Sequence, residues 1–110
     1  MRAGLESLGG KVKMNDYILF MHNDAQAAES DAAWEQYLGK LRSTGQFAGG
    51  SSIGSGECVA KSRQPPGITS HLSGYIRVQA ENLEAAKKLL EGNPVFEAGG
   101  TVEIRELPRE

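Results

Sequence analysis

The last third of the chain, residues 71–107, constrains the fold most, because it divides into a strand, a capped helix and another strand. Gly74–Val78 alternate in polarity and are rich in β-branched and aromatic residues, which predicts a half-buried strand. Asn82 is a favourable N-cap for the helix that follows, Gly92 suits the left-handed position past its end, and Pro94 prevents continuation. Thr101–Leu107 alternate again and predict the final strand.

The first half predicts a strand followed by a helix. Tyr17–Met21 form a short apolar run that is hydrophobic on both faces, which is typical of a central strand. Ser30 or Asp31 can cap the next helix, and Gly45 can end it. The apolar side chains of this helix fall at helical spacing and predict its core-facing stripe: Trp34, Tyr37, Leu38 and Leu41.

The middle of the chain completes the order of elements. The small residues of Gln46–Ile53 predict a bent or bulged second strand, and Glu57–Lys61 can extend or pair with the sheet. The order strand, helix, strand, strand, helix, strand predicts an α+β, ferredoxin-like split βαβ fold with an antiparallel sheet and both helices on one face. A first strand that is apolar on both faces then needs a cover, and a homodimer packed sheet to sheet provides one.

Length and composition limit the class of protein. With 110 residues there is room for one domain, which we assign to residues 14–110, preceded by a flexible N-terminal extension over residues 1–13. A net charge of -2 does not favour nucleic acid as a partner, and no apolar run approaches the length of a membrane span. Cys58 is the single cysteine, which excludes an internal disulfide and favours a reducing compartment. We therefore expect a cytoplasmic protein in which Cys58 is a buried structural residue rather than a nucleophile.

Placed in this order, the segments resemble the YCII-related family, including its DGPF branch. The resemblance runs from Met14 to Leu107 and rests on NDYILFMHND, STGQFAGGSSI, LSGYIRV and AENLEAAKKLLEGNPVFEAGGTVEIREL. It implies a ferredoxin-like fold that pairs as a dimeric α+β barrel. For some members it also implies acid–base chemistry, such as elimination or isomerisation, on small organic acids or aromatic breakdown products.

The chain departs from the family pattern at two places. The DGPF tetrapeptide is absent, and the stretch before LSGYIRV reads CVAKSRQPPGITSH. In the YCII branch an aspartate that pairs with a histidine commonly precedes the proline after the second helix, whereas this chain has Asn93 before Pro94. An asparagine lacks the charge that stabilises an imidazolium, so a dyad of that kind is not available at this position.

Two histidines and an aspartate are the candidates for chemistry. His22 ends the first strand and Asp24 follows two residues later, so we predict His22 as a general acid or base assisted by Asp24. His71, Tyr75 and Asn93 are predicted to shape or orient a small-molecule ligand. His22, His71, Asp24 and Glu57 lack the compact spacing of a recognised metal site, so we predict no metal and no cofactor.

Other functions remain open at this point. The same fold suits a non-catalytic accessory dimer that holds a small molecule, or a cofactor-independent monooxygenase, and fold alone does not separate them. An RNA-recognition module is disfavoured, because Ser73, Ile76 and Arg77 replace the basic, small and aromatic residues expected there. The sequence does not identify the substrate.

Overall fold

The structure is a computed structural model that describes residues 13–109. Seven elements follow one another: β1 (Asn15–His22), α1 (Asp31–Ser43), β2 (Phe47–Ser52), β3 (Leu72–Ala80), α2 (Leu83–Lys88), α3 (Pro94–Glu97) and β4 (Val102–Leu107). The expected α+β class is confirmed. The predicted extension over residues 1–13 lies outside the described residues, apart from Lys13.

The four strands form one sheet in the order β2-β3-β1-β4, and each neighbouring pair is antiparallel. β1 lies between β3 and β4, as its apolar sequence predicts. Leu19 marks the centre of the sheet, since it pairs with Ile76 on β3 and with Ile104 on β4. The longest strands therefore hold the middle, and the shorter strands form the edges.

The helix ends follow the predicted capping chemistry, with one addition. Ser30 caps α1 by accepting a hydrogen bond from the Ala33 N–H, and Asn82 caps α2 in the same way. Gly92 adopts a φ of 87°, as expected for the residue past a helix end. Pro94, however, does more than stop the chain, because it begins the short helix α3, where its fixed φ suits the first helical position.

The glycine-rich second strand is irregular, as predicted. The register shifts between Phe47 and Gly49, and Gly49 has a φ of 121°. A Cβ atom on Gly50 would lie 2.6 Å from the Tyr75 carbonyl oxygen, so the small residue is required for close approach of β2 to β3. The prediction that Glu57–Lys61 joins the sheet is wrong, since residues 53–71 contain no helix or strand, and Cys58 there is half-buried rather than buried.

The core lies on one face of the sheet. Alternate residues of β1, namely Tyr17, Leu19 and Met21, pack there together with buried residues of β3 and of the helical region. The helix-side members of this core are Tyr37, Leu41, Ala86, Leu90 and Val95. The other side chains of β1 point to the opposite face, here called the open face, where Ile18 and Phe20 are half-buried. None of the helices of residues 13–109 contributes its core residues to the open face.

Candidate functional site

A histidine and a glutamate meet at the end of β1 on the open face. His22 follows Phe20 on that face, and Glu103 of β4 lies opposite Phe20 across the β1–β4 pair. The Nε2 atom of His22 is 3.1 Å from the Oε1 atom of Glu103. Their side chains are 19% and 37% exposed, so the pair is accessible to a ligand but partly shielded from water.

The second histidine of the chain lies beside this pair. The His71 and His22 rings have their centroids 4.7 Å apart and meet edge to face at 72°. The backbone holds His71 in place, because its carbonyl oxygen accepts a hydrogen bond of 2.8 Å from the Asn23 N–H. One nitrogen of each histidine and one carboxylate oxygen of Glu103 all lie within 4.8 Å of one another. We call His22, His71 and Glu103 the histidine cluster.

The Glu103 carboxylate is held ionised and oriented. The hydrogen bond from His22 is the main cause that lowers the pKa of Glu103, and a second bond from Arg105 acts in the same direction. Arg105 donates through Nη1 to the other carboxylate oxygen, at 3.2 Å. Since an ionised carboxylate can only accept, the Nε2 atom of His22 must carry the shared proton. Nδ1 is then the nitrogen of the neutral ring that is able to accept a proton from a ligand.

Asp24 does not take the position that the sequence predicted for it. Its carboxylate accepts two hydrogen bonds from Thr101, 2.8 Å from the backbone nitrogen and 2.7 Å from the hydroxyl. These two bonds lower the pKa of Asp24, and the bond from the Thr101 hydroxyl has the larger effect. Of the causes that act on this pKa, the charge of His22 has the smallest effect. Asp24 therefore ties the segment after β1 to the start of β4, and Glu103 is the carboxylate that contacts His22.

Tyr75 and Asn93, the other two residues predicted to contact a ligand, lie in different parts of the fold. Tyr75 pairs with Phe20 in the β1–β3 register and so shares the open face with the histidine cluster. Asn93 is fully buried in the core and caps α3, so its side chain does not reach a ligand on the open face. Its amide lies near the Tyr37 hydroxyl and opposes the rise that burial causes in the pKa of Tyr37. Its Nδ2 atom nevertheless has no hydrogen-bond partner among residues 13–109.

A cleft opens on the helix side of the sheet, between α1, β2 and β3. Its volume is about 410 Å³, within the range of small-molecule sites. Trp34, Leu38 and Phe47 supply apolar walls, and the Arg42 guanidinium lies 5.3 Å from the centre of the Phe47 ring. Glu29 also lines the cleft and accepts a hydrogen bond of 3.0 Å from the Trp34 ring nitrogen.

Sequence reasoning missed Glu103 and this cleft for identifiable reasons. Glu103 is 81 residues from His22, and only the pairing register of β1 with β4 brings the two together. The alternation of residues along β4 already placed the Glu103 side chain on the face of the strand opposite to Val102 and Ile104. It did not reveal which residue of the neighbouring strand Glu103 contacts. Trp34 was assigned to the core stripe of α1, and it does pack against the core while also lining the cleft.

Comparison with known proteins adds no assignment: neither a protein-family model nor a curated protein matches the chain. Among the helices of residues 13–109, none has the length and apolar character needed to cross a membrane.

Proposed function

We propose that the chain is a YCII-related protein of ferredoxin-like fold that carries out acid–base chemistry on a small organic acid or aromatic metabolite. The observation that carries this proposal is the half-buried hydrogen bond between His22 and Glu103. A histidine whose ring is fixed by a carboxylate is the usual arrangement for a proton-transfer residue. The strand order β2-β3-β1-β4 and the antiparallel pairing support the ferredoxin-like part of the proposal.

The proposed mechanism gives each residue of the open face one task. Nδ1 of His22 accepts a proton from a carbon next to the carboxylate of the ligand. Nε2 keeps its own proton, which stays hydrogen-bonded to the Glu103 carboxylate. Glu103 then stabilises the imidazolium, which loses the proton again to a neighbouring carbon, in isomerisation, or to a leaving group, in elimination. Glu103 thereby supplies the carboxylate that the asparagine at position 93 does not. His71 and Tyr75 flank the ligand.

The proposal includes a homodimer in which the open faces of two copies pack together. Ile18 and Phe20 leave apolar surface on the open face, and no helix of the described residues covers it. A second copy would bury these side chains and exclude water from both histidine clusters, which strengthens the electrostatic contribution of each Glu103. Analytical ultracentrifugation tests this part, and a monomer at micromolar concentration would contradict it.

The acid–base step can be tested before the substrate is known. The full-length protein, treated with EDTA, is incubated in D₂O with a panel of small carboxylic acids, and loss of C–H signals is followed by proton NMR. We expect exchange of one proton in at least one acid. His22→Gln should slow this exchange about 10²–10⁴-fold, the usual contribution of a general base.

Two further variants make the exchange experiment decisive. Glu103→Gln should also slow exchange, since it removes the charge that stabilises the imidazolium. Glu106→Gln is the matched control, because Glu106 is an exposed glutamate of the same strand. Exchange that is absent from the wild type for every acid, or unaffected by His22→Gln, contradicts the proposed chemistry.

The helix-side cleft supports a second candidate function, a non-catalytic carrier of an aromatic acid. Arg42 can pair with a carboxylate while Trp34 and Phe47 hold an aromatic ring. Trp34 is the single tryptophan of the chain, so its fluorescence reports occupation of the cleft. A carrier predicts a fluorescence titration that Arg42→Gln weakens and Arg63→Gln, an exposed loop control, leaves unchanged. Fluorescence that is constant across the panel of acids argues against the carrier.

A further inference from the structure

We propose that His22, His71 and Glu103 form a binding site for a divalent transition-metal ion, with Zn²⁺ as the best fit. The proposal goes beyond the acid–base function and does not depend on it. It departs from the sequence prediction of no metal, which rested on spacing along the chain. The fold overrides that spacing, because the end of β1, the segment before β3 and the start of β4 meet at one place on the open face.

The ligand set matches the chemistry of zinc. Imidazole nitrogens and carboxylate oxygens are both common zinc ligands, and two histidines with one glutamate occur as a three-ligand set in zinc enzymes. A tetrahedral site with bonds of about 2.0–2.1 Å requires ligand atoms about 3.4 Å apart. The His22 and Glu103 atoms are already 3.1 Å apart, and the three potential ligand atoms lie within 4.8 Å. His71 is exposed, so rotation of its side chain can close the remaining gap.

The surroundings of the cluster favour a bound cation in two ways. The second carboxylate oxygen of Glu103 accepts a hydrogen bond of 3.2 Å from Arg105, which leaves Oε1 for the metal. Such contacts to a ligating carboxylate fix its orientation. The described chain offers three protein ligands, so a fourth position is open to water or to the carboxylate of a small acid.

Metal binding and the histidine–glutamate hydrogen bond are mutually exclusive. In the metal-free protein the Nε2–H group of His22 donates a hydrogen bond to Glu103. If Nε2 is the ligating nitrogen, this proton has to move to Nδ1, because a neutral imidazole binds a metal through the nitrogen that carries no proton. The metal-loaded protein would therefore lack the proton-transfer pair. Any chemistry of the loaded site would proceed on a ligand held at the open coordination position.

The test is a titration of the full-length, EDTA-treated protein with Co²⁺, which reports its coordination through visible absorption, followed by displacement with Zn²⁺. We expect one ion per chain and an absorption spectrum typical of a tetrahedral site. His71→Ala removes one ligand but leaves the His22–Glu103 contact in place. It should weaken binding by at least the factor of about 10–100 that loss of an outer contact causes. Glu103→Gln should have a similar effect.

Two controls separate this site from other ligands of the chain. Cys58→Ser removes the single thiol, and Glu106→Gln removes a carboxylate outside the cluster, so neither should change the affinity. Circular dichroism of each variant confirms folding. Equal Co²⁺ affinity in the wild type and in His71→Ala, or loss of binding in Cys58→Ser, would overturn the proposal. The proton-exchange experiment uses metal-free protein, so its outcome is independent of the Co²⁺ titration. Failure of the acid–base proposal and failure of the metal proposal can therefore be told apart.

Discussion

Asn93→Ala distinguishes a structural role from a ligand-binding role at a position that the sequence assigned to the ligand site. The Oδ1 atom of Asn93 accepts hydrogen bonds from the backbone N–H groups of Val95 and Phe96, at 3.0 and 3.1 Å. Asn82 provides the matched control, since it caps α2 through one hydrogen bond from the Ala85 N–H but is exposed to solvent. The two substitutions remove the same chemical group from a buried and from an exposed helix start.

The difference in burial sets the expected magnitudes. Removal of an N-cap acceptor costs about 1 kcal/mol, which is our expectation for Asn82→Ala. At position 93 the Val95 N–H is also buried, and a buried donor without an acceptor costs about 1–3 kcal/mol more. Removal of the buried Nδ2 atom, which has no hydrogen-bond partner among residues 13–109, offsets about 1 kcal/mol of this loss in stability. The free energy of unfolding should therefore fall by about 2 kcal/mol in Asn93→Ala.

Urea denaturation at one fixed protein concentration measures both variants. With a denaturant dependence of about 2 kcal/mol per molar urea, Asn93→Ala should lower the unfolding midpoint by about 1 M, and Asn82→Ala by about half as much. A loss at position 93 no greater than that at position 82 would refute the argument from burial. Unchanged stability together with weaker binding of a small acid would instead place Asn93 in the ligand site.

Two further predictions concern the segment after β1 and the close approach of β2. In Asp24→Asn we expect lower stability at pH 7, because the folded state lowers the pKa of Asp24 from its ordinary value of 3.8 through its bonds to Thr101. That contribution is present above the ordinary pKa and is lost as the pH falls through the lower folded value, so the urea midpoints of wild type and variant should converge as the pH falls below 3.8; a difference that stays constant below that pH would contradict this. Gly50→Ala should cost about 1–3 kcal/mol in the same assay, because its Cβ atom would lie 2.6 Å from the Tyr75 carbonyl oxygen. Gly54→Ala, with no atom within 4 Å, should be neutral or slightly stabilising, and equal effects of the two would show that β2 can move away.

The sequence predicts those parts of the fold that depend on neighbours along the chain. The caps at Ser30 and Asn82 and the positive φ of Gly92 follow from local backbone chemistry, and the structure confirms each of them. The central position of β1 follows from its continuous apolar run. Residues 53–71 were harder, because their glycines, prolines and polar residues fit both a loop and a short edge strand.

The candidate site is less predictable, since it depends on contacts between distant segments. His22 and His71 stood out by residue type alone. Their carboxylate neighbour did not, because Asp24 and Glu103 are equally plausible until the register of β1 with β4 is known. Asn93 was linked to a ligand through the proline that follows it, whereas its burial and its bonds to α3 depend on the packing of the core.

The alternation of β1 separates two kinds of evolutionary change. Leu19 and Met21 hold the core, while Phe20 and His22 on the same strand face the other way. Substitutions at the open-face positions can thus alter recognition without opening a cavity in the interior. A combinatorial library restricted to Ile18, Phe20 and Tyr75 should therefore retain a high proportion of members with a folded core, while the members differ in the proposed pairing of the open faces and in the ligands of the proposed site.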